Sequence, residues 1–354
     1  MPGVPRSNRT LLRTALIRCL VLGGVGALPA SARAAECASG GGFSPCFDAN
    51  ALWLPAGRAS FSSMPDTRLT QPKQFGFGIA SELLHQPVLL RAASPDRDGR
   101  DIHVLDYAVD ASYFVSFGLP LNVELSALAS TRAHQTGAGA SGITSQSAPP
   151  LQHNAVRDPR IGAAFSFADV LADSGFGLRL ALDATLPIGD RTAFANERGF
   201  VAMPNATFGY RHSIWRVSAE LGLKLRRAVD FGGVALGNQG FVALGVAADV
   251  LPSGWLSVSA EAFGLPPLSD NRGTAASPLV KEVRLFPAEW LVGVHSSFGS
   301  GGAWTVSFAA GTGIPLSSET RTSPNGSETS QFMGLTTPDF RSLVVLRFAA
   351  HGAS

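Results

Sequence analysis

The chain has 354 residues, of which 45% are hydrophobic and only 15% are charged, and its formal net charge is +2. Five of the 28 basic residues and none of the 26 acidic residues lie in the first 34 positions, so a chain starting at residue 35 has a net charge of −3. This balance argues against nucleic-acid binding, which needs a basic surface. No run of 18 uncharged apolar residues follows position 34, which leaves an apolar soluble fold or a transmembrane β-barrel.

The first 34 residues are typical of a secretory signal peptide. Four arginines precede the apolar run Leu20–Leu28, and Ala32-Arg33-Ala34 matches the small-x-small pattern of a cleavage site. The apolar run is too short for a transmembrane helix, which needs about 20 residues. We therefore predict that residues 1–34 are removed on export, with an uncleaved amphipathic tail as the alternative.

Residues 35–72 precede the first strand pattern and begin in a Gly-, Ser- and Pro-rich stretch. They contain Cys37 and Cys46, whereas Cys19 lies in the signal. In an oxidising compartment two such cysteines are expected to form a disulfide, and a metal pair is less favoured because no histidine is near. The segment is predicted to lie in the periplasm or to plug the barrel, and the sequence leaves both placements open.

The rest of the chain repeats a period-two alternation of apolar and polar residues, which is typical of strands wetted on one face. Residues 105–117 carry apolar side chains at the odd positions, and residues 215–226 place Arg216, Ser218 and Glu220 between apolar neighbours. Twelve strands are predicted in this way, at 73–84, 103–117, 121–131, 157–169, 175–186, 200–211, 214–226, 240–251, 254–264, 287–298, 302–312 and 339–349.

The connections between these strands alternate between short turns and loops of a dozen residues or more. Short periplasmic turns and long extracellular loops are typical of bacterial outer-membrane barrels. We therefore predict an all-β fold, an antiparallel up-and-down transmembrane β-barrel of about 12 strands over residues 73–350, with 10 or 14 strands possible. The predicted location is the bacterial outer membrane, with both termini in the periplasm.

Four large aromatic residues lie beside predicted short turns. Trp215, Trp255 and Trp304 follow such turns, and Tyr210 precedes one. Aromatic girdles form at membrane interfaces, so we predict that these residues belong to one. The alternative is the ordinary preference of strands for aromatic residues.

Strand parity predicts which charged residues line the lumen. The inward acids are Asp106, Asp110, Glu124, Asp183, Glu220, Asp249, Glu261 and Glu289, and the inward bases are Arg160, Arg179, Arg216, Lys224, Arg226, Arg341 and Arg347. A selective ion pore usually carries a ring of one sign, whereas these two sets nearly balance. They predict either the lining of a polar channel or a salt-bridge network that fills a narrow barrel.

No catalytic or metal site is predicted. His295 lies in a strand beside Ser296, but adjacent strand residues face opposite sides, and no Gly-x-Ser-x-Gly motif is present. Asp96, Asp98 and Asp101 lack the full spacing of a calcium loop, so we expect a solvated acidic loop and no cofactor. A membrane hydrolase is therefore the least favoured function.

Three segments carry a family resemblance. They are Asp158–Gly162 (DPRIG), a strand ending in Leu186–Gly189 (LPIG), and Pro204–Arg211 (PNATFGYR). Over about residues 155–350 they resemble the barrels of OmpA-family outer-membrane proteins and of the putative outer-membrane transporters of the phenol-degradation (MetA-pathway) group. Cys46-Phe47-Asp48 with Leu52-Trp53 is similar to the mature start of such chains. The peptidoglycan-binding domain of many family members is not expected here.

The resemblance implies transport of small solutes, some of them apolar. We predict a narrow channel or transporter, with a non-conducting structural or surface-display barrel with partner-binding loops as the alternative. The expected partners are outer-membrane lipid, an unidentified small solute and the barrel-insertion machinery during biogenesis, and no nucleic acid.

Overall fold

The computed structural model describes residues 43–92, 100–143, 150–167, 175–232, 234–251, 255–268, 280–299, 302–323, 326–333 and 335–349. The predicted signal peptide, Cys37, Asp96 and Asp98 lie outside these ranges. Within them, no helix is both long enough and apolar enough to cross a membrane.

The described residues form mostly β-structure. The strands are β1 (Phe75–Ala92), β2 (Arg100–Leu119), β3 (Val123–Thr136), β4 (Ala155–Val156), β5 (Arg160–Ser166), β6 (Phe176–Thr185), β7 (Val201–His212), β8 (Trp215–Lys224), β9 (Val229–Phe231), β10 (Val234–Leu236), β11 (Gln239–Asp249), β12 (Leu256–Gly264), β13 (Val280–Arg284), β14 (Ala288–Phe298), β15 (Trp304–Gly313), β16 (Ser317–Ser323), β17 (Gly326–Phe332) and β18 (Phe340–Ala349). One short 3₁₀ turn spans Ala140–Gly142.

Twelve of these strands form a closed antiparallel barrel. The hydrogen-bonded order is β2-β1-β18-β15-β14-β12-β11-β8-β7-β6-β5-β3, and β2 pairs with β3 to complete the circle. The predicted fold class, an up-and-down barrel of twelve antiparallel strands, is confirmed. Closure leaves no unpaired sheet edge, which is the condition for crossing lipid with strands.

The first hairpin is longer than predicted. The pairing of β1 with β2 continues to Ala92 and Arg100, past Pro87, which looks like a strand end in the sequence. The ladder passes this point through a register shift between His85 and Val88, and Gln86 has a positive φ of 52°. A bulge accommodates proline because the ladder there does not need its missing N–H.

The two ends of the barrel differ. Five short connections lie at one end, which we call the short-turn end, and six long connections lie at the other, the long-loop end. The long connections hold the remaining strands: β9 pairs with β10, β16 pairs with β13 and β17, and β4 pairs with β3. Which end faces the periplasm stays a prediction.

The two faces of the barrel wall have opposite character. Outward side chains are apolar and exposed, as shown by Leu221 at 55% and Leu244 at 65%. Inward neighbours such as Glu220, which is 4% exposed, are buried. This contrast follows from the period of two residues along each strand.

Residues 43–72, which we call the inner segment, lie inside the barrel. Phe43 bridges Phe231 at the long-loop end, and Pro72 bridges Gly118 at the short-turn end, so the segment runs through the lumen lengthwise. Of the two placements that the sequence leaves open, these residues have the one within the barrel. The boundary at residue 34 stays a prediction.

The hydrophobic core lies between the inner segment and the barrel wall. Leu52, Phe61 and Met64 pack in one cluster with Phe241 and Leu291 of the wall. At the long-loop end a second cluster joins the inner segment to the loops, with Phe47 edge-on to Phe194 and Phe231. The core of this barrel is therefore its lumen.

Candidate functional site

The inward charges hold the irregular backbone of the inner segment. Because this segment forms no ladder of its own, its buried N–H and C=O groups need other partners. The backbone N–H groups of Ser62 and Ser63 each donate to Glu261, over 2.8 Å in both cases. Arg347 donates to two carbonyl oxygens of the segment at 2.7 Å, and Arg160 donates to a third at 3.1 Å.

A buried ion network surrounds Asn50 of the inner segment. Arg341 donates to Glu82 at 2.7 Å, to Glu289 at 2.7 and 2.9 Å, and to the side-chain oxygen of Asn50 at 2.9 Å. The amide nitrogen of Asn50 donates to both Glu82 and Asp110 at 3.0 Å. All five side chains are buried, so removing one charge would leave an opposite charge unpaired in a dry site.

The network extends toward the long-loop end. Asp110 lies 2.8 Å from Arg132 and 3.0 Å from Arg157. Arg157 also lies 2.7 Å from Asp48 of the inner segment. Acids and bases therefore alternate from the middle of the lumen to its long-loop end.

A second ion cluster lies at the long-loop end. Glu197, from the loop between β6 and β7, lies 2.9 Å from Lys224 and 3.2 Å from Arg226. Burial alone would raise the pKa of Glu197, but the two cations outweigh it and hold the pKa below its ordinary value. The ring of Trp53 lies 5.7 Å from the Lys224 ammonium. We call Glu197, Lys224 and Arg226 the loop-end cluster.

Asp158 positions the loop that carries Glu197. Its carboxylate accepts hydrogen bonds from the N–H groups of Gly189 and Glu197 and from the Asn196 amide, at 2.7–2.8 Å. Burial raises the pKa of Asp158 to about 6, even though these bonds favour the ionised form. Asp158 belongs to the DPRIG segment that carries part of the family resemblance.

Two cavities lie between the inner segment and the barrel wall. The central cavity, of about 40 Å³, is lined mainly by Arg179, Asp183, Asn205 and Glu220 of β6, β7 and β8, by Ser126, Arg160 and Phe241 of β3, β5 and β11, and by Trp53, Pro55 and Ser63 of the inner segment. The mouth cavity, of about 230 Å³, lies at the short-turn end and is lined by Gly177, Gly209, Arg211, Arg216 and Ser218 from the wall and by Arg58, Asp66 and Arg68 from the inner segment. Charged groups of both signs face both cavities.

The structure gives His295 partners on neighbouring strands. Its two ring nitrogens lie 2.9 Å from the hydroxyl of Ser259 and 2.8 Å from that of Ser307. The Ser259 hydroxyl also donates to Glu261 at 3.0 Å, and Glu261 is occupied by the inner segment. All four side chains are buried. In the sequence His295 is adjacent to Ser296, whereas its hydrogen-bond partners in the structure are Ser259 and Ser307 on the neighbouring strands.

Most of the predicted lumen residues face inward in the structure. Those that are buried are Asp110, Glu124, Arg179, Glu220, Lys224, Glu261, Glu289, Arg341 and Arg347, and those that are partly buried are Arg160, Asp183, Arg216, Arg226 and Asp249. Asp106 differs, because its side chain is 37% exposed and lies 3.7 Å from His103. Asp106 keeps the parity of Ala108 and Asp110 but lies nearer the long-loop end of β2.

Sequence reasoning missed several members of the networks. Glu82 has inward parity on β1 and could have been found in that way. Arg132 lies one position beyond the predicted end of β3. Asp48, Asn50 and Glu197 lie in segments without periodicity, and no pattern signal identifies them.

Aromatic residues gather on the outer surface near the short turns. Tyr210, Trp215 and Trp255 are exposed, and Trp304 packs against Phe77 and Phe348. The predicted girdle therefore includes phenylalanines that the sequence analysis left out. Its role at a membrane interface stays a prediction.

Cys46 is buried at the long-loop end of the inner segment. Because Cys37 lies outside the described residues, the disulfide between them stays a prediction.

Comparison with known proteins identifies similar folds. No protein-family model matches the chain, and no curated protein matches it by sequence. Among solved structures, the COG4313 outer membrane channel from Pseudomonas putida F1 has a TM-score of 0.54 at 10% identity, covering 80% of this chain and 97% of that one. The NanC porin has a TM-score of 0.42 at 8% identity, covering 78% and 99%, and the toluene transporter TbuX from Ralstonia pickettii has 0.35 at 8%, covering 80% and 91%.

At these identities the likeness concerns the fold alone. The fold is that of outer membrane β-barrels. The finer resemblance to OmpA-family barrels and to phenol-degradation transporters stays a resemblance of short motifs.

Proposed function

We propose that this protein is an outer membrane channel for small polar solutes, narrowed by its own inner segment. The observation that carries the proposal is the pair of cavities between the inner segment and the barrel wall, both of which charged groups of both signs face. Barrels of eight strands are filled by side chains and those of sixteen are open, so a twelve-stranded barrel has room for a segment and a narrow passage. The likeness in fold to an outer membrane channel is consistent with this function.

The charges in the lumen favour polar solutes over apolar ones. The motif resemblance implies that some apolar solutes are carried, but an apolar molecule in this lumen would displace water from buried charged groups, at a large cost in desolvation. Acids and bases face the cavities together, so no ring of one sign selects anions or cations. A solute that can replace hydrogen bonds to both kinds of group fits this lining best.

A non-conducting barrel is the second candidate. It is favoured by the tight packing of the inner segment, whose residues Phe47, Asn50 and Met64 are completely buried. In that case the cavities would hold only water, and the long loops would bind a partner.

Planar-bilayer recording separates the two candidates. We expect discrete conductance steps from the refolded full chain, with heat-denatured protein as the control. Liposomes containing the protein should also swell faster than empty ones in isotonic solutions of small polar solutes. Correctly folded protein that gives neither steps nor swelling would exclude the channel.

A further inference from the structure

The inner segment is bonded unevenly to the barrel. Within the described residues, its hydrogen bonds and ion pairs to the inner wall reach β1, β2, β3, β12 and β18, which we call the anchored wall. Arg160 and Ser166 of β5, at the border of this wall, donate to two carbonyl oxygens of the segment. These bonds hold the inner segment against the anchored wall.

The contacts with β6, β7 and β8, which we call the cavity wall, are of another kind. Thr67 packs against Gly177 of β6 and Gly209 of β7, where a Cβ atom on either glycine would collide with it. Trp53 faces Lys224 of β8 at 5.7 Å. Between these two contacts the wall faces the central cavity, and Met203 of β7 belongs to the same buried apolar cluster as Leu54 of the segment.

The two cavities lie one behind the other on the cavity wall. On β6 the mouth cavity is lined by Gly177 and the central cavity by Arg179 and Asp183. On β8 the corresponding residues are Ser218 and Glu220. Inward residues two positions apart are separated by about 6.6 Å, so the cavities follow each other directly along the strands. Pro65 lines both and forms the constriction between them, together with Thr67.

The loop-end cluster closes the line of cavities at the other end. Lys224 lies four positions beyond Glu220 on β8, toward the long-loop end. Glu197 belongs to the β6–β7 loop, and Arg226 lies just after β8, so neither side chain belongs to a strand of the barrel ladder. An ion cluster made partly from loops can therefore open while the barrel stays closed.

We propose that solutes pass along the cavity wall, through the mouth and central cavities, with the loop-end cluster as the gate, and that the preferred solutes are small zwitterions. This proposal rests on the proposed channel function. The central cavity presents the guanidinium groups of Arg160 and Arg179 beside the carboxylates of Asp183 and Glu220. A molecule with one negative and one positive group can pair with both sets at once, whereas an ion of either sign meets repulsion from one of them.

Cysteine modification tests the route. Ser218→Cys on β8 places a thiol in the mouth cavity, and Ser116→Cys on β2 is the matched control. Ser116 is also inward, buried and near the short-turn end, but its hydroxyl is bonded to Thr70 on the anchored wall at 2.8 Å. Each variant is treated with a cationic methanethiosulfonate reagent during single-channel recording, and mass spectrometry follows the labelling. Wild-type protein treated with the same reagent measures the background labelling of Cys46.

We expect Ser218→Cys to react and its conductance to fall by about twofold or more, because a bulky group narrows the passage. Ser116→Cys should react slowly and keep its conductance. Equal block at both positions, or block only at Ser116→Cys, would overturn the route while leaving the channel function intact. A wild-type protein with no conductance would instead overturn the channel function itself.

Two isomers test the solute class. Glycine is a zwitterion, and glycolamide has the same composition without charges. We expect proteoliposomes to swell faster in glycine than in glycolamide after subtraction of the empty-liposome rates. Glu220→Gln, which removes one carboxylate from the central cavity, should slow glycine several-fold and leave glycolamide unchanged. Equal rates for the two isomers, or equal slowing of both by the variant, would contradict the zwitterion preference.

Discussion

On the anchored wall, buried charges pair with groups of the inner segment or with each other; on the cavity wall, Arg179 and Glu220 face the central cavity. Arg341 illustrates the first case, since its guanidinium makes four hydrogen bonds to two acids and Asn50. Arg179 illustrates the second, with a single 3.4 Å bond to Asn205 beside the central cavity. Strand parity places both residues on the inner face of the barrel. The path of the inner segment then determines whether each charge is paired or faces a cavity.

The largest expected difference between the walls is in stability. Arg341→Met should lower the free energy of unfolding by about 3–5 kcal/mol, because it leaves Glu82 and Glu289 buried without their cation. Arg179→Met, the matched change on the cavity wall, should cost about 1 kcal/mol, the value of one ordinary hydrogen bond. Urea titration in lipid vesicles measures both. Similar losses for the two variants would show that the walls do not differ in this way.

The second prediction tests the register of β8, on which the cavity wall depends. Leu221→Arg puts a charge on the outward face and should cost about 2–4 kcal/mol if that face lies at the bilayer midplane. Glu220→Gln, one position away, keeps the size of an inward side chain and should change stability far less. Folding yield and urea titration in vesicles give the comparison. If Leu221→Arg folds as well as the wild type, β8 does not present Leu221 to lipid.

The third prediction concerns the attachment of the inner segment. Glu261→Gln weakens charge-assisted bonds from the N–H groups of Ser62 and Ser63, each worth about 1.5–3 kcal/mol. We expect a loss of stability in that range and faster hydrogen exchange over residues 58–66. Glu220→Gln serves again as the control, because its carboxylate faces the central cavity. Unchanged exchange in Glu261→Gln would mean that the segment is held mainly by packing.

Features that depend on neighbouring residues could be predicted from the sequence, whereas features that depend on residues far apart in the chain could not. The twelve strands follow from local alternation, and parity places residues such as Asp110 and Glu289 on the inner face. Parity fails at bulges, where one extra residue changes the face of the strand that carries it, as at Ala133 of β3. The proline at position 87 ends the strand pattern in the sequence but not in the structure.

The path of the inner segment could not be derived from the sequence. Residues 43–72 have no periodicity, and their partners are distant in the sequence: Glu82 and Arg341 lie 32 and 291 positions from Asn50. The near balance of inward acids and bases did indicate mutual pairing. It gave no sign that Asp48 and Asn50 would enter the network, because neither belongs to a strand.

The smallest expected effect is a pH dependence of the loop-end cluster, which lies at the long-loop end of the cavity wall. The pKa of Asp158 lies above its ordinary value, at about 6, so protonation favours the folded loop as the pH falls through 6. The pKa of Glu197 lies below its ordinary value, so its pairing with Lys224 and Arg226 persists until the pH falls below the usual range of a glutamate.

These two shifts predict a conductance with two regimes. From pH 7 to pH 5 the conductance should stay constant or fall, because Asp158 gains a proton that the folded loop favours while Glu197 remains ionised. Once the pH falls below the usual range of a glutamate, protonation of Glu197 should release Lys224 and Arg226 and raise the conductance. Glu197→Gln should show the raised conductance already at pH 7, with no further increase in acid, whereas Asp158→Asn should remove only the change near pH 6. Single-channel recording from pH 7 to pH 3 distinguishes these patterns. An increase that begins near pH 6 in the wild type would assign the gate to Asp158 instead.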